Sequence, residues 1–279
     1  MDDRPIGVFD SGVGGLTVVK ELRTQLPHED LIYFGDTARV PYGSKSVPVI
    51  RRFSLEITRF LESQRVKMVV VACNTASALA LDFLRRQSSV PVIGVIDPGV
   101  RAALAHEQVR AVGVIGTQAT IRSEAYQSRL LRLRADCQVV AKACPLLVPI
   151  VEENLVATPI ATLALEMYLA ELRDRRLDAL ILACTHYPLL KEAIAAFLGT
   201  GVTLIDSAEE TAREVTEVLQ ARRITGPADR PGTEEFYVSD SPEAFMRVGE
   251  PFLGRPMRQV FVEHVWKRDL GLGPDATPL

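Results

Sequence analysis

The sequence of 279 residues predicts an α/β protein with two pseudo-symmetric, parallel-sheet (flavodoxin-like) domains. Two observations support this prediction. Short apolar runs rich in β-branched residues end in small polar clusters, which is typical of buried parallel strands whose carboxyl ends face a ligand cleft. The pattern also occurs twice, since the run that ends at Cys73 returns in the run that ends at Cys184. We therefore expect a site in the cleft between two similar halves.

The first half alternates apolar strand patterns with amphipathic helix patterns. The predicted strands cover residues 6–10, 31–35, 69–73 and 92–96. The predicted helices cover residues 16–26, 48–65 and 77–87. Ser46 before Pro48 is a typical start signal for the second of these helices. Asp97, Pro98 and Gly99 predict a turn where the chain crosses into the second half.

The second half repeats this order. Its predicted strands cover residues 111–115, 138–141, 179–183 and 202–205, and its helices cover residues 121–135, 159–175 and 189–198. Corresponding strand positions are separated by 106 residues at Gly7 and Gly113 and by 111 residues at Cys73 and Cys184. Such similar offsets indicate an internal repeat of βα units with right-handed crossovers.

The remaining segment has no counterpart in the repeat. Ser207-Ala-Glu-Glu210 predicts a capping box before a helix that ends near Arg223. Strands are expected over residues 234–238 and 259–264, with a short helix from Pro242 between them. We expect this segment to pack on the first half, which gives domains 1–97 plus 208–265 and 98–207. A tail follows over residues 266–279, and its part 271–279 is expected to be disordered.

Composition excludes several classes of protein. The net charge of −3 provides no basic face for nucleic acid, and no apolar run is long enough to span a membrane. The charged amino terminus lacks a secretory apolar segment, so we expect a cytoplasmic protein. The four cysteines are therefore expected to be free thiols.

Two strand ends carry the candidate chemistry. Cys73, Asn74 and Thr75 follow the third strand, and Cys184, Thr185 and His186 follow its repeat. Facing halves would bring the two thiols to opposite sides of one cleft, an arrangement that suits a base and an acid acting on one carbon. Helix N-termini and hydrogen-bond donors can lower a thiol pKa from about 8.5, which makes a thiolate a usable base, and both cysteines are expected to have such a setting. Cys137 and Cys144 are interpreted as small buried apolar residues.

Other residues are expected to assist the thiols. His186 shares a loop with Cys184 and can hold a proton, whereas Asp10 is its counterpart beside Cys73 or merely caps a helix. Tyr42 and Gly43 either close the cleft or form an ordinary turn. Glu152 and Glu153 hold the equivalent place in the second half, and one of them could assist Cys184.

The glycine-rich turn 11–15 is weighed against a dinucleotide fingerprint, since Asp36 lies where a ribose-binding acid would be expected. The fingerprint fails because Thr17 occupies the third glycine position. The turn remains a candidate anion site at a helix N-terminus. No metal-ligand spacing occurs, and no lysine at a strand end suggests pyridoxal phosphate, so cofactor-free chemistry is expected.

Five motifs, in order and spacing, resemble the glutamate racemase family. They are Phe9-Asp-Ser-Gly-Val-Gly-Gly-Leu16, Pro41-Tyr-Gly43, Ala72-Cys-Asn-Thr-Ala76, Ala183-Cys-Thr-His-Tyr-Pro-Leu189 and Ile205-Asp-Ser-Ala208. The resemblance covers residues 5 to about 254 and implies a cofactor-independent enzyme that interconverts L- and D-glutamate with two bases. In this family the product D-glutamate serves bacterial peptidoglycan, and the protein is usually a homodimer.

The resemblance also implies residue roles. Cys73 and Cys184 would be the two acid/base residues, and Asp10, Glu152 and His186 would assist proton transfer. The implied substrate-binding residues are Asp10, Ser11, Tyr42, Gly43, Asn74, Thr75, Thr117, Thr120, Thr185 and His186. Three alternatives remain open: a racemase for aspartate or a related amino acid, a nucleotide-dependent oxidoreductase, and a non-catalytic amino-acid-binding module.

Overall fold

The computed structural model describes residues 2–267, in which ten strands form two sheets. The strands are β1 (Ile6–Asp10), β2 (Leu31–Gly35), β3 (Met68–Val71), β4 (Val92–Gly94), β5 (Ala111–Gly116), β6 (Gln138–Ala143), β7 (Ala179–Ala183), β8 (Thr203–Asp206), β9 (Glu234–Val238) and β10 (Val260–Val262). One sheet has the order β10-β9-β2-β1-β3-β4 and the other β6-β5-β7-β8, and all pairs are parallel. The predicted α/β class with two parallel sheets is confirmed.

Helices connect the strands. They are α1 (Leu16–Gln25), α2 (Val47–Ser63), α3 (Asn74–Gln87), α4 (Ile96–Ala103), α5 (Gln118–Arg122), α6 (Ala125–Leu133), α7 (Leu147–Glu152), α8 (Pro159–Asp174), α9 (Lys191–Leu198), α10 (Ser207–Arg222) and α11 (Pro242–Leu253). Short 3₁₀ turns cover Thr37–Arg39, Tyr42–Ser44, Tyr187–Leu190 and Val265–Lys267. Within residues 2–267, none of the helices combines the length and the apolar character needed to cross a bilayer.

The two sheets repeat one strand order, because β2-β1-β3-β4 corresponds to β6-β5-β7-β8. Gly7 in β1 lies opposite Ile32 and Val69, and its counterpart Gly113 in β5 lies opposite Val140 and Leu180. The inner strands β1, β3 and β7 are buried along their whole length, as expected for apolar strands covered on both faces. Equivalent strand ends therefore deliver Cys73 and Cys184.

Three boundaries in the repeat differ from the sequence prediction. The turn predicted at Asp97–Gly99 is wrong, because these residues form the first turn of α4, where Pro98 loses no intrahelical hydrogen bond. Helix α3 begins at Asn74 rather than 77, with Cys73 as its N-cap residue. The single helix predicted over 121–135 is divided at Ser123, whose hydroxyl bonds to the backbone of Thr120 and Ala125 in place of the helix ladder.

The second half and the last segment bring two more corrections. The predicted cap of α10 at Ser207 is wrong, because the carboxylate of Asp206 accepts from the Ala208 N–H at 2.9 Å and is the N-cap. The helix predicted over 189–198 begins as a 3₁₀ turn and becomes α-helical only at Lys191. One further helix, α7, was not predicted at all.

The last two strands extend the first sheet, since β9 pairs with β2 and β10 pairs with β9. On this basis we propose domains 1–97 plus 208–265 and 98–207. Trp266 and Lys267 belong to the final 3₁₀ turn, and Val265 in the same turn is fully buried. The prediction of a disordered segment 271–279 lies outside the described residues.

Candidate active site

A cavity of about 450 Å³ lies between the carboxyl ends of the two sheets. Eleven of the predicted site residues line it, and they come from both halves of the repeat: Ser11, Tyr42, Gly43, Cys73, Asn74, Thr75, Thr117, Glu152, Cys184, Thr185 and His186. Two predicted residues, Asp10 and Thr120, are fully buried and do not line it. Within residues 2–267 no cluster of three or more His, Cys, Asp or Glu side chains is arranged to hold a metal ion.

Cys73 lies at the N-terminus of α3, and its side chain is 5% exposed. The Ala76 N–H donates to its Sγ at 3.5 Å, and the Sγ lies 3.8 Å from the Ser11 Oγ. Burial raises the pKa of the Cys73 thiol to about 12, and the nearby Asp10 carboxylate adds to this shift, whereas the two hydrogen bonds oppose it. Cys73 is therefore a protonated thiol at neutral pH.

Asp10 lies behind Cys73 at the end of β1 and is fully buried. Its Oδ2 accepts from the Gly12 N–H at 3.0 Å. Burial raises the pKa of this carboxyl, while the positive charge of His186 and the N–H groups of the glycine turn lower it. Asp10 therefore acts on the site through charge and through the shape of the turn, without facing the cavity.

Cys184, His186 and Glu152 form a chain of contacts on the other side of the cavity. The Cys184 Sγ lies 3.8 Å from His186 Nδ1, and His186 Nε2 lies 2.9 Å from Glu152 Oε1. Burial disfavours a charged imidazole, but the contacts with Cys184 and Glu152 outweigh it and raise the pKa of His186 to about 10. His186 is therefore an imidazolium at neutral pH, and its positive charge lies beside the Cys184 sulfur. Of the two glutamates considered, only Glu152 faces the cavity.

The surroundings of the two thiols are consequently unequal. Both were expected to adjoin helix N-termini, but only Cys73 does, because Cys184 is followed by a 3₁₀ turn. The Cys73 thiol lies at a helix N-terminus, but burial has the largest effect on its pKa. Cys184 instead has the positively charged His186 beside it. The cavity therefore presents one neutral thiol and one sulfur beside a cation.

Hydroxyl and amide groups connect the halves at the cavity wall. The hydroxyls of Thr75, Thr117 and Thr120 form a triangle with Oγ1–Oγ1 distances of 2.9, 3.0 and 3.3 Å. Asn74 accepts at its Oδ1 from the Tyr126 hydroxyl at 2.6 Å. Thr120 thus contacts the lining hydroxyls from behind, and its predicted direct contact with substrate remains a prediction.

The glycine turn has a packing role. A Cβ on Gly14 would lie 2.2 Å from Thr185 Oγ1 and 2.6 Å from His186 Nδ1, so only glycine allows this turn to lie against the loop of the second half. The Thr17 hydroxyl, 3.3 Å from the Thr185 carbonyl oxygen, adds a hydrogen bond between the same two segments. The turn therefore sets the distance between the halves beside Cys184.

Both carboxylate oxygens of Asp36 are bound by protein groups, so Asp36 is not placed as a ribose-binding acid. Its Oδ2 accepts from the Tyr42 hydroxyl and its Oδ1 from the Ser239 hydroxyl, and Arg39 pairs with both oxygens. Tyr42 thus lines the cavity with its ring while its hydroxyl is bound to Asp36. A Cβ on Gly43 would lie 3.0 Å from the Cβ of Thr117, so Gly43 permits close approach of the two halves.

Comparison with known proteins identifies the family. The sequence profile of the Asp/Glu/hydantoin racemase family matches residues 6–215, three quarters of the chain. The chain belongs to this family. It is 51% identical to the glutamate racemase of Geobacter metallireducens over 258 residues, which are 92% of this chain and 96% of that protein. The predicted family resemblance is confirmed, and this racemase is an isomerase.

Solved structures agree with this result. The glutamate racemase of Francisella tularensis in complex with D-glutamate superposes with a TM-score of 0.90 at 40% identity, covering 96% of this chain and all of that one. The Escherichia coli glutamate racemase in complex with L-glutamate and the activator UDP-MurNAc-Ala gives a TM-score of 0.75 at 29% identity, covering 93% and 98%.

Two residues that contact the cavity-lining side chains from behind were missed by sequence reasoning. Tyr126 binds Asn74 from α6, and Phe252 from α11 places its ring 5.2 Å from the His186 ring in an edge contact of 84°. Neither carries a local signal beyond an apolar helix face. Phe252 lies in the segment without a counterpart in the repeat, so no symmetry points to it.

Proposed function

We propose that this racemase interconverts L- and D-glutamate without a cofactor, by proton transfer between two thiols. The observation that carries the proposal is the position of Cys73 and Cys184. They occupy equivalent strand ends of an internal repeat and line the same cavity. Inversion at a carbon requires that a proton leaves one face and another arrives at the opposite face, and a pair of thiols on facing halves meets this requirement.

In the resting enzyme, the Cys184 sulfur beside the His186 imidazolium is the base and the Cys73 thiol is the acid. The Cys184 thiolate removes the Cα proton of the enantiomer whose proton faces it, and Cys73 delivers a proton to the other face. The product then leaves Cys184 as a thiol and Cys73 as a thiolate. This second form of the enzyme is the one that accepts the product enantiomer in the reverse reaction.

Neutral donors acidify the Cα proton. Among the described residues that line the cavity there is no lysine or arginine, so the substrate carboxylates are bound by hydroxyl, amide and backbone N–H groups. Donors aimed at the α-carboxylate bind more strongly as negative charge develops on it in the transition state. Thr75 and Thr117 are placed for this role, and the first-turn N–H groups of α3 lack intrahelical partners.

The relatives support glutamate as the substrate. The two related enzymes described above were solved with D-glutamate and with L-glutamate respectively. We further propose that the enzyme is a cytoplasmic homodimer that supplies D-glutamate for peptidoglycan synthesis. The four cysteines in residues 2–267 are free and buried, which suits the reducing compartment that a thiol mechanism needs.

The test is a substrate panel without added cofactor. We expect either enantiomer of glutamate to lose optical activity until the mixture is racemic, and alkylation of the cysteines to abolish the reaction. Racemisation of aspartate but not glutamate would replace the substrate assignment. Binding of NAD, or glutamate binding with no racemisation, would favour the oxidoreductase or the binding module instead. Sedimentation at twice the mass of one chain would support the homodimer.

A further inference from the structure

Asn74 and Gln118 are the two side-chain amides among the described residues that line the cavity, and the two ends of the Asn74 amide differ in their contacts. The side chain is 2% exposed, its Oδ1 accepts from the Tyr126 hydroxyl at 2.6 Å, and its Nδ2 has no partner in the part of the chain that the structure describes. A buried amide N–H without a partner is costly, typically by a factor of about 10 in an equilibrium constant. A substrate carboxylate would supply the missing acceptor.

Tyr126 approaches Asn74 from the other half of the repeat. Its ring belongs to the apolar core of the second half, is fully buried, and lies beside Gly99 of α4. Burial raises the pKa of its hydroxyl, so the group is a neutral phenol and a hydrogen-bond donor at neutral pH. The ring is thus held rigidly, and its O–H points to a residue 52 positions away in the sequence.

We propose that Tyr126 is a positioning residue for the racemase reaction, which fixes the Asn74 amide so that its N–H group binds a carboxylate of the substrate. An amide has one acceptor end and one donor end. Because the phenol donates to Oδ1, the NH₂ group is the end of the amide that has no protein partner at the cavity wall. The inference rests on the proposed function, since it assigns the donor to an acidic substrate.

The inference also explains why the bond connects the two halves. Asn74 begins α3 directly after Cys73, and Tyr126 lies on α6. The hydrogen bond that orients the Asn74 amide therefore forms only when the two halves hold their observed arrangement. No arginine or lysine lines the described cavity, so each neutral donor contributes a large share of carboxylate binding.

Tyr126→Phe tests the inference directly, since it removes the donor and keeps the ring. We expect KM for both enantiomers to rise about fivefold while kcat changes less, since one neutral hydrogen bond orients the binding group. Tyr168→Phe is the matched control, because the Tyr168 hydroxyl bonds to the Leu146 N–H outside the cavity lining. The control should leave KM unchanged, and an unchanged KM in Tyr126→Phe would overturn the inference.

Asn74→Asp tests whether the Tyr126–Asn74 hydrogen bond positions a substrate-binding group or only holds the two halves together. Aspartate still accepts from Tyr126, so the hydrogen bond between the halves should persist. Aspartate lacks the N–H donor and repels a carboxylate, so KM should rise much more than in Tyr126→Phe. In an Asn74→Ala background, Tyr126→Phe should cause no further rise in KM.

Two results would contradict the inference. One is a double variant in which the KM increases of Asn74→Ala and Tyr126→Phe multiply, and the other is an unchanged KM in Asn74→Asp. A wild-type enzyme inactive on glutamate would instead refute the proposed function.

Discussion

His186 carries the charge that distinguishes the two thiols. Its position between Cys184 and Glu152 keeps the imidazole protonated at neutral pH, while Cys73 on the other side is held as a thiol by burial. The cavity therefore has a neutral thiol on one side and a sulfur beside a positive charge on the other, which are the two groups that the proposed two-base reaction uses. The pH dependence of the reaction follows from this arrangement.

We expect kcat/KM to fall as the pH rises through about 10, because His186 then loses the positive charge that lies beside the Cys184 sulfur. Both enantiomers must show the same profile, since their equilibrium constant is one. In Glu152→Gln the fall should begin at lower pH, because the carboxylate that raises the pKa of His186 is gone. Profiles of kcat/KM against pH for the wild type and the variant measure this, and coincident alkaline limbs would contradict it.

Each thiol should be essential. Cys73→Ser or Cys184→Ser is expected to lower kcat/KM by about 10³-fold in both directions, because a serine hydroxyl is a far weaker acid and base than a thiol. The separate kcat and KM values need not change equally for the two enantiomers. Cys137→Ser, which lies outside the cavity lining, is the control and should retain activity. Near-native rates in either active-site variant would exclude the two-thiol mechanism.

At the scale of elements, the glycine turn holds the second half at a fixed distance. Gly14→Ala would place a methyl group within the van der Waals radius of Thr185 and His186, so we expect a loss of about 1–3 kcal/mol in the free energy of unfolding and a lower kcat. Gly201→Ala meets open space and should change neither quantity. Thermal unfolding and initial rates test the pair. Full activity in Gly14→Ala would show that the close contact is dispensable.

Helix α11 supports the site from outside the repeat. Phe252→Leu removes the edge contact with His186, and we expect a loss of about 1 kcal/mol in stability together with a severalfold lower kcat. Phe60→Leu is the matched control, because Phe60 is equally buried and makes a similar edge contact with Tyr237 remote from the cavity. It should lose stability without losing kcat. Equal kcat values in the two variants would refute a role for Phe252.

Elements were predictable where one local signal dominated. Strands β1, β2, β7 and β9 match their predicted bounds because each contains a short apolar stretch that is followed by polar or turn residues. Helix α4 was missed because Pro98 and Gly99 are turn signals, although proline is also compatible with a first helical turn. Helices α5 and α6 were predicted as one helix because the apolar period continues through Ser123. The break comes from the bond of the Ser123 hydroxyl to the backbone and from the left-handed conformation of Glu124 (φ 54°), neither of which the period reveals.

At the scale of the whole molecule, the repeat was the most informative feature of the sequence. It predicted that Cys73 and Cys184 would share a cleft, and eleven of the proposed site residues do line one cavity. The contacts of Tyr126 with Asn74 and of Phe252 with His186 could not be predicted. They join residues 52 and 66 positions apart, and an apolar face indicates burial without indicating the partner.

The most direct test of the two-thiol mechanism is racemisation of one glutamate enantiomer in deuterated water without cofactor, followed at low conversion. Because the second thiol carries a solvent deuteron, we expect the newly formed enantiomer to contain deuterium at Cα while the remaining substrate contains almost none. Equal deuterium in substrate and product would indicate a single base that acts on both faces. Product formed without deuterium would contradict proton exchange at Cα altogether.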